Sequence, residues 1–317
     1  MKKDNRPIIQ HITDFLAYLD IERGLSYKSQ ETYRRFLQKF IDWLSAHHFD
    51  HLLPHELTEE HIRQYRVFLS QIDKKYTHQK LKRSSQNYYL IALRTLLNYF
   101  ADHDILSLPS DKVKLAKSKA QERSIKFLTL EQVKTLLEMP DVSTLTGLRD
   151  RAILETFFST GLRVAELVSL NREQFHITPE TQDLEVVIIG KGGRSRPVYF
   201  SQRAMRWLRL YLSRRQDKEK ALFINFKGPK QTQRKRLTSR SLENIVKKYV
   251  LCAGLPLFTT CHTLRHSFAT DLLGQGVDLR TIQEFLGHKS ISTTQIYASV
   301  TSKQLRDTHR KFHSLPE

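Results

Sequence analysis

His262-Thr263-Leu264-Arg265-His266, Leu286-Gly287-His288 and Thr293-Thr294-Gln295-Ile296-Tyr297 follow one another between positions 262 and 297. As chemistry they bring imidazoles and one guanidinium near a phenol that can act as a nucleophile, a set suited to phosphate rather than carbonyl substrates. His262 and Arg265 are three apart, so on a helical turn they share a face. Leu279 to Leu286 reads as a helix that Gly287 stops, which delivers His288 just past its end. Tyr297 lies nine residues further on, behind the hydroxyl-rich run Ser290 to Thr294, which can cap another short helix. Taken singly, these are a capping histidine, a surface arginine and a half-buried tyrosine. Taken together, they define a candidate site.

Two upstream stretches complete the pattern. Thr160-Gly161-Leu162-Arg163-Val164-Ala165-Glu166-Leu167 carries an arginine just beyond a glycine stop, and Gly190-Lys191-Gly192-Gly193-Arg194 places a lysine on a glycine-rich turn between two β-type runs. With these, the sequence resembles the tyrosine recombinases, specifically the Xer-type chromosome dimer resolvases, whose pattern is His-x-x-Arg, Leu-Gly-His and then Tyr. The resemblance implies catalytic roles for Arg163, Lys191, His262, Arg265, His288 and Tyr297, with Glu166 supporting the geometry of the site. It also implies a mainly α fold with a small antiparallel sheet in the C-terminal domain, arranged as a two-domain, C-shaped DNA clamp.

Composition agrees with a polyanion partner. The 317 residues hold 52 Lys and Arg against 33 Asp and Glu, a net charge of +19, while 39% of residues are hydrophobic. That is a folded chain with a large cationic surplus, the electrostatic footprint of nucleic-acid binding. Cys252 and Cys261 are the only cysteines, so a disulfide framework is not expected and a reducing compartment is. The N-terminal residues do not read as a signal peptide, and no apolar run of about 18 residues is present. A cytoplasmic protein with no membrane partner is therefore expected.

Residues 1–106 read as a helical domain. Ile8, Ile12, Phe15, Leu16 and Leu19 recur at helical spacing before Gly24; Tyr33 to Leu44 forms a second helix with Ser29 as its cap; a third begins near Thr58 and carries Ile62, Tyr65, Val67, Phe68 and Leu69; a fourth spans Ser84 to His103 with Tyr88, Leu90, Ile91, Leu93, Leu96, Leu97 and Phe100 inward. Four such helices make a small bundle. It resembles the SAM-like core-binding domain of these recombinases, and Lys28, Arg34, Arg83 and Arg94 are its candidate DNA contacts. Residues 107–126, with Pro109 and five lysines, read as a linker.

Residues 127–317 form the expected catalytic domain. It opens with Thr129 and Gln132 at capping-box spacing. Residues 148–170 read as a buried helix ending at Gly161 and a second helix carrying Arg163. Leu184 to Ile189 and Ser195 to Phe200 read as a hairpin, and the P-loop spacing is absent around Lys191. Gln202 to Arg215 is a basic helix. Thr238-Ser239 caps a further helix whose Arg240 and Lys247 are candidate groove contacts. Beyond Tyr297, Leu305, Thr308 and Phe312 mark a last helix. In the Xer type the matching helix is exchanged between subunits of a tetramer, homo- or heteromeric, on DNA.

Phosphodiester cleavage is mainly a matter of positioning and of stabilising developing charge. Arg163 and Arg265 offer forks for two nonbridging oxygens. His288 donates a further bond, and His262 accepts the tyrosine proton or holds the phosphate. The phenol, with an ordinary pKa of about 10, needs a proton acceptor. The resemblance implies a 3′-phosphotyrosine intermediate, with Lys191 protonating the 5′ leaving oxygen, and no cofactor or ATP. His262 and His266 stand four apart, but the zinc pattern wants Glu where Thr263 stands; no metal is expected, and His266 reads as structural. Within the resemblance, resolution of chromosome dimers at a short, roughly palindromic dif-like site, with a DNA translocase as activator, competes with integration or excision of a mobile element and with a type IB topoisomerase. The length and tail are Xer-like and no arm-binding domain is read before Ile8, which favours resolution; Ala298-Ser299 after Tyr297, where Thr-His is usual, departs from the Xer pattern.

Overall fold

The computed structural model describes residues 1–72, 80–116, 125–178, 180–190, 193–226, 235–288, 290 and 294–297. Lys191 and everything beyond Tyr297, including the expected last helix, lie outside the described residues. The chain divides into two compact units, Met1–Gln121 and Glu122–Glu317. Both are dominated by α-helix, and the described β structure is one two-stranded antiparallel sheet in the second unit, the fold class expected.

The first unit holds α1 (Ile12–Ile21), α2 (Tyr27–Ala46), α3 (Glu59–Gln71) and α4 (Arg83–Asp102). Apolar residues three and four apart on each helix converge, and Phe15, Leu37, Phe40, Trp43, Tyr65, Leu93, Leu96 and Phe100 are fully buried. Thr58 caps α3 by accepting from the His61 amide. Ser26, not Ser29, stands at the N-cap of α2, so that helix starts earlier than expected. Two residues of α4 expected inside are exposed: Tyr88 at 58% and Ile91 at 39%. A helix turning every 3.6 residues buries one stripe. On α4 that stripe is Leu90, Leu93, Leu97 and Phe100; Tyr88 instead stacks on Phe36 at the surface. Val67 of α3 is likewise exposed. The stretch read as a linker begins as part of this unit, because Val113 is fully buried and Asn87 pairs with both backbone groups of Ala116 at 2.9 Å.

The second unit holds α5 (Leu130–Glu138), α6 (Leu145–Thr160), α7 (Val164–Ser169), β1 (Leu184–Ile189), β2 (Ser195–Phe200), α8 (Gln202–Ser213), α9 (Ser239–Cys252), α10 (Cys261–Gly274) and α11 (Leu279–Leu286). Helix α6 is buried around most of its circumference. Its charged residues tolerate this because they are paired: Arg149 with Asp150 at 2.6 Å, Arg151 with Glu155 at 2.9 Å, and Asp150 with the Tyr249 hydroxyl at 2.9 Å. β1 and β2 pair with Leu184 opposite Phe200 and Ile189 opposite Ser195. Alternation turns Val186, Ile188, Val198 and Phe200 inward and leaves Val187, Ile189 and Tyr199 exposed.

Candidate active site

Two helices of the second unit end at left-handed glycines, and their freed carbonyls build the site. Gly161 closes α6 at φ 58° and Gly287 closes α11 at φ 60°, a conformation in which glycine is favoured because it has no Cβ. The last carbonyls of a helix have no intrahelical partner and lie at the negative end of its dipole, so they suit arginines. Arg265, on the buried face of α10, donates from Nη1 to the Gly161 carbonyl and from Nη2 to the Leu286 carbonyl, each at 2.6 Å. Arg163, at the N-cap of α7, donates from Nη2 to the Gly287 carbonyl at 3.1 Å. The two arginines, far apart in sequence, are thereby both fixed to the end of α11, and Arg265 to the end of α6 as well.

Their electrostatic surroundings differ. Arg163 is paired with Glu166, Nη1 to Oε1 at 2.8 Å, while its own amide donates to Oε2 at 2.9 Å. Glu166 also receives both terminal nitrogens of Arg196, at 3.0 and 2.9 Å. Burial alone raises the Glu166 pKa, but the bonds from Arg196 and the Arg163 amide outweigh it and hold the carboxyl at about 2. Arg265 is only 1% exposed and, among the described residues, has no carboxylate within ion-pair distance. Burial, with Arg163 nearby, lowers its pKa to about 9, which leaves it charged at neutral pH. A buried cation held only by neutral carbonyls is a site built for an anion.

The histidines and the phenol surround this cation. Thr260 caps α10, which places His262 on its first turn and His266 one turn deeper. His262 is exposed, has no hydrogen-bond partner among the described residues and meets the His266 ring edge-on, centroids 4.6 Å apart. Desolvation of its packed side, then Arg265 and Arg163, lower its pKa. His288 Nδ1 lies 2.9 Å from the Thr294 hydroxyl, and burial followed by Arg265 and Arg163 brings its pKa down to about 4. Tyr297 is fully buried with Ala269, Leu273, Ile282 and Leu286; burial raises its phenol to about 12 against the pull of Arg265. Its hydroxyl is 2.7 Å from His266 Nδ1.

Arg163 forms the partition between two cavities. One, of about 840 Å³, is lined by Arg163, His262 and Arg265 together with Arg240 and Lys247 of α9. The other, of about 1310 Å³, is lined by Arg163, His288, Arg194, Arg196 and Arg280, and reaches Gly190, the residue before Lys191. The structure thus gathers Arg163, Glu166, His262, Arg265, His288 and Tyr297 around one locus, with Arg240 and Lys247 exposed on its rim. Lys28 and Arg34 are exposed on α2, Arg83 is exposed on α4, and Arg94 is half-buried on α4; they belong to the other unit. Two residues in contact with this set were not among the candidates read from sequence. Arg196 shares the inward face of β2 with Val198 and Phe200, so alternation carried that signal. His266, read as structural, is the imidazole that meets the phenol; its i,i+4 relation to His262 was the clue.

A helical two-unit protein with this arginine, histidine and tyrosine site has the makeup of an enzyme that acts on phosphodiesters. The comparisons agree. Residues 126–304 match the Phage integrase family and residues 12–103 the Phage integrase, N-terminal SAM-like domain. A tyrosine recombinase XerC of Pelotomaculum thermopropionicum is 33% identical over 96% of this chain and 97% of its own, and a tyrosine recombinase XerD of Lacticaseibacillus casei is 35% identical over 95% and 98%. A crystal structure of the XerH recombinase bound to palindromic difH substrate superposes with a TM-score of 0.73 at 22% identity, covering 99% of both chains. The chain belongs to the phage integrase family and is a tyrosine recombinase of the Xer type, a DNA-cutting and rejoining enzyme.

Proposed function

We propose that this recombinase cuts each strand through a covalent 3′-phosphotyrosine intermediate and acts at one short, roughly palindromic dif-like site to resolve chromosome dimers. The observation that carries the chemistry is Arg265: a buried guanidinium with carbonyl partners only, close enough to Tyr297 to lower its pKa. Arg265 and Arg163 take the nonbridging oxygens of the scissile phosphate, and His262 and His288 add hydrogen bonds to it. Glu166 fixes Arg163. Tyr297 attacks phosphorus, Lys191 protonates the 5′ oxygen that leaves, and the phosphotyrosine retains the bond until another 5′ hydroxyl attacks it, so neither ATP nor a metal is needed.

Arg240 and Lys247 beside the site, and Lys28, Arg34, Arg83 and Arg94 on the first unit, contact the duplex. Four subunits, identical or of two kinds, assemble on DNA in the cytoplasm and exchange their C-terminal helices; a DNA translocase activates them. The Xer names of the relatives and the palindromic difH substrate of the XerH structure support this reading over a mobile-element integrase.

Covalent protein–DNA adducts captured in the native cell, with Tyr297→Phe beside wild type, test it. Adducts at one locus in the chromosome terminus that vanish in the variant are expected. Adducts flanking a mobile segment would make the enzyme an integrase, scattered adducts a topoisomerase, and equal adducts in the variant would remove Tyr297 from its role.

A further inference from the structure

Among the described residues, the hydroxyl of Tyr297 has one hydrogen-bond partner, Nδ1 of His266 at 2.7 Å. Neither imidazole that the sequence pattern singles out bonds to that hydroxyl among the described residues: His288 Nδ1 lies 2.9 Å from the Thr294 hydroxyl, and His262 is open to solvent. His266 projects from α10 one turn below His262, into the cluster that surrounds the tyrosine ring. We propose that His266 is the proton acceptor for Tyr297, a catalytic residue of the strand-cleavage step that leaves His262 and His288 to hold the phosphate. The proposal rests on the reading of Tyr297 as nucleophile.

The step balances without a further reactant. The Tyr297 proton passes from Oη to His266 Nδ1 as Oη bonds to phosphorus; the P–O5′ bond breaks, and its electron pair leaves with the 5′ oxygen, which takes a proton from Lys191. Rejoining reverses each transfer, and the phenol recovers its proton from the imidazolium.

The surroundings of His266 suit the task. The groups that face it are His262 and Arg265 on its own helix, His288 just past α11 and Tyr297 from the C-terminal segment, while α11 itself adds only apolar Leu279, Ile282 and Leu286 to the cluster. Burial, then His262 and Arg265, lower its pKa to about 4, so at neutral pH the ring is uncharged. A protonated phenol can then donate along the 2.7 Å contact into the Nδ1 lone pair. A phosphodiester anion arriving at Arg265 offsets the positive field on the ring and strengthens the base when it is needed.

The test uses the full chain and a nicked duplex of the captured locus, which traps the adduct in a single turnover. His266→Gln is expected to slow adduct formation by on the order of 10²-fold or more with unchanged affinity for the uncut duplex, and to flatten the acid limb of the rate–pH profile. His266→Asn, which keeps a hydrogen-bonding side chain without basicity, should behave likewise and guards against a packing defect in the first variant. Added imidazole should restore His266→Ala. A substrate with sulfur in the 5′ bridging position should rescue Lys191→Ala but not His266→Gln, because a thiolate leaves without an acid. Adduct formation by His266→Gln within about threefold of wild type, well below the usual contribution of an acid–base group, would overturn the proposal, as would faster formation, which would make the contact a restraint on the tyrosine. Adducts formed by Tyr297→Phe would instead sink the nucleophile assignment, so the two failures are distinguishable.

Discussion

Arg265 is a buried cation held by neutral groups alone among the described residues. Its two carbonyl bonds satisfy donors, but its charge is answered by no carboxylate among the described residues. An inorganic anion should supply what is missing: sulfate is expected to raise the unfolding temperature, since a ligand at 100-fold its dissociation constant stabilises by about 2.7 kcal/mol. In Arg265→Met the sulfate increment should disappear, and calorimetry with and without the anion reads it; an undiminished increment would place the anion elsewhere. Glu166 is the opposite case, a carboxylate with two guanidinium partners. Its folded pKa, about 2 against an ordinary 4.5, is depressed, so its contribution is complete above pH 4.5 and is lost as pH falls towards 2. That shift corresponds to roughly 3 kcal/mol at most. The stability gap between wild type and Glu166→Gln should therefore be level near neutrality and close on acidification, which urea unfolding at several pH values would show; a gap independent of pH would mean that packing, not charge, is what Glu166 provides.

At the scale of elements, the helix ends carry the site, and they were also the most legible part of the sequence. Gly161 and Gly287 were readable as stops, and both adopt positive φ. The hairpin limits follow from alternating apolar runs that end at glycines. What local pattern does not contain is which carbonyl an arginine reaches: Arg265 spans to Gly161, 104 residues away in sequence, and Arg196 to Glu166 across 30. The same limit hid His266, because a helical histidine meets a tyrosine 31 residues on only after α11 folds back. Gly287 joins these facts. A Cβ there would lie 2.9 Å from Arg196, whose Nε also bonds the Phe285 carbonyl at 3.2 Å, at a φ of 60° that costs an alanine about 1–2 kcal/mol. Gly287→Ala should destabilise the fold by at least that amount and, by displacing both His288 and the carbonyl that Arg163 holds, slow adduct formation more than it weakens DNA binding. Chemical denaturation and single-turnover cleavage separate the two effects; a variant that is unstable yet cleaves at full rate would show that the α11 end does not position the site.

At the scale of the molecule, composition announced the partner before any motif did, because a net charge of +19 on a folded chain of 317 residues has few other uses. It did not say where the charge acts. The surplus is uneven: residues 121–317 carry 32 basic against 19 acidic residues, residues 1–120 only 20 against 14. In the second unit Arg240 and Lys247 are exposed on the wall of the cavity that holds His262 and Arg265, the wall to which the proposed function assigns the phosphates beside the one at Arg265. Each cation that neutralises a phosphate releases counterions, so the logarithm of affinity falls with the logarithm of salt by about 0.9 per contact. Arg240 already shares its charge with Glu243 at 3.3 Å, whereas Lys247 forms no ion pair among the described residues. Lys247→Gln should therefore weaken binding to site and non-site DNA alike and make the salt slope shallower by about 0.9, with a smaller change for Arg240→Gln. Filter binding across a salt series measures both slopes. An unchanged slope for Lys247→Gln would move the strand off this wall and leave the approach to Arg265 to the larger cavity on the far side of Arg163.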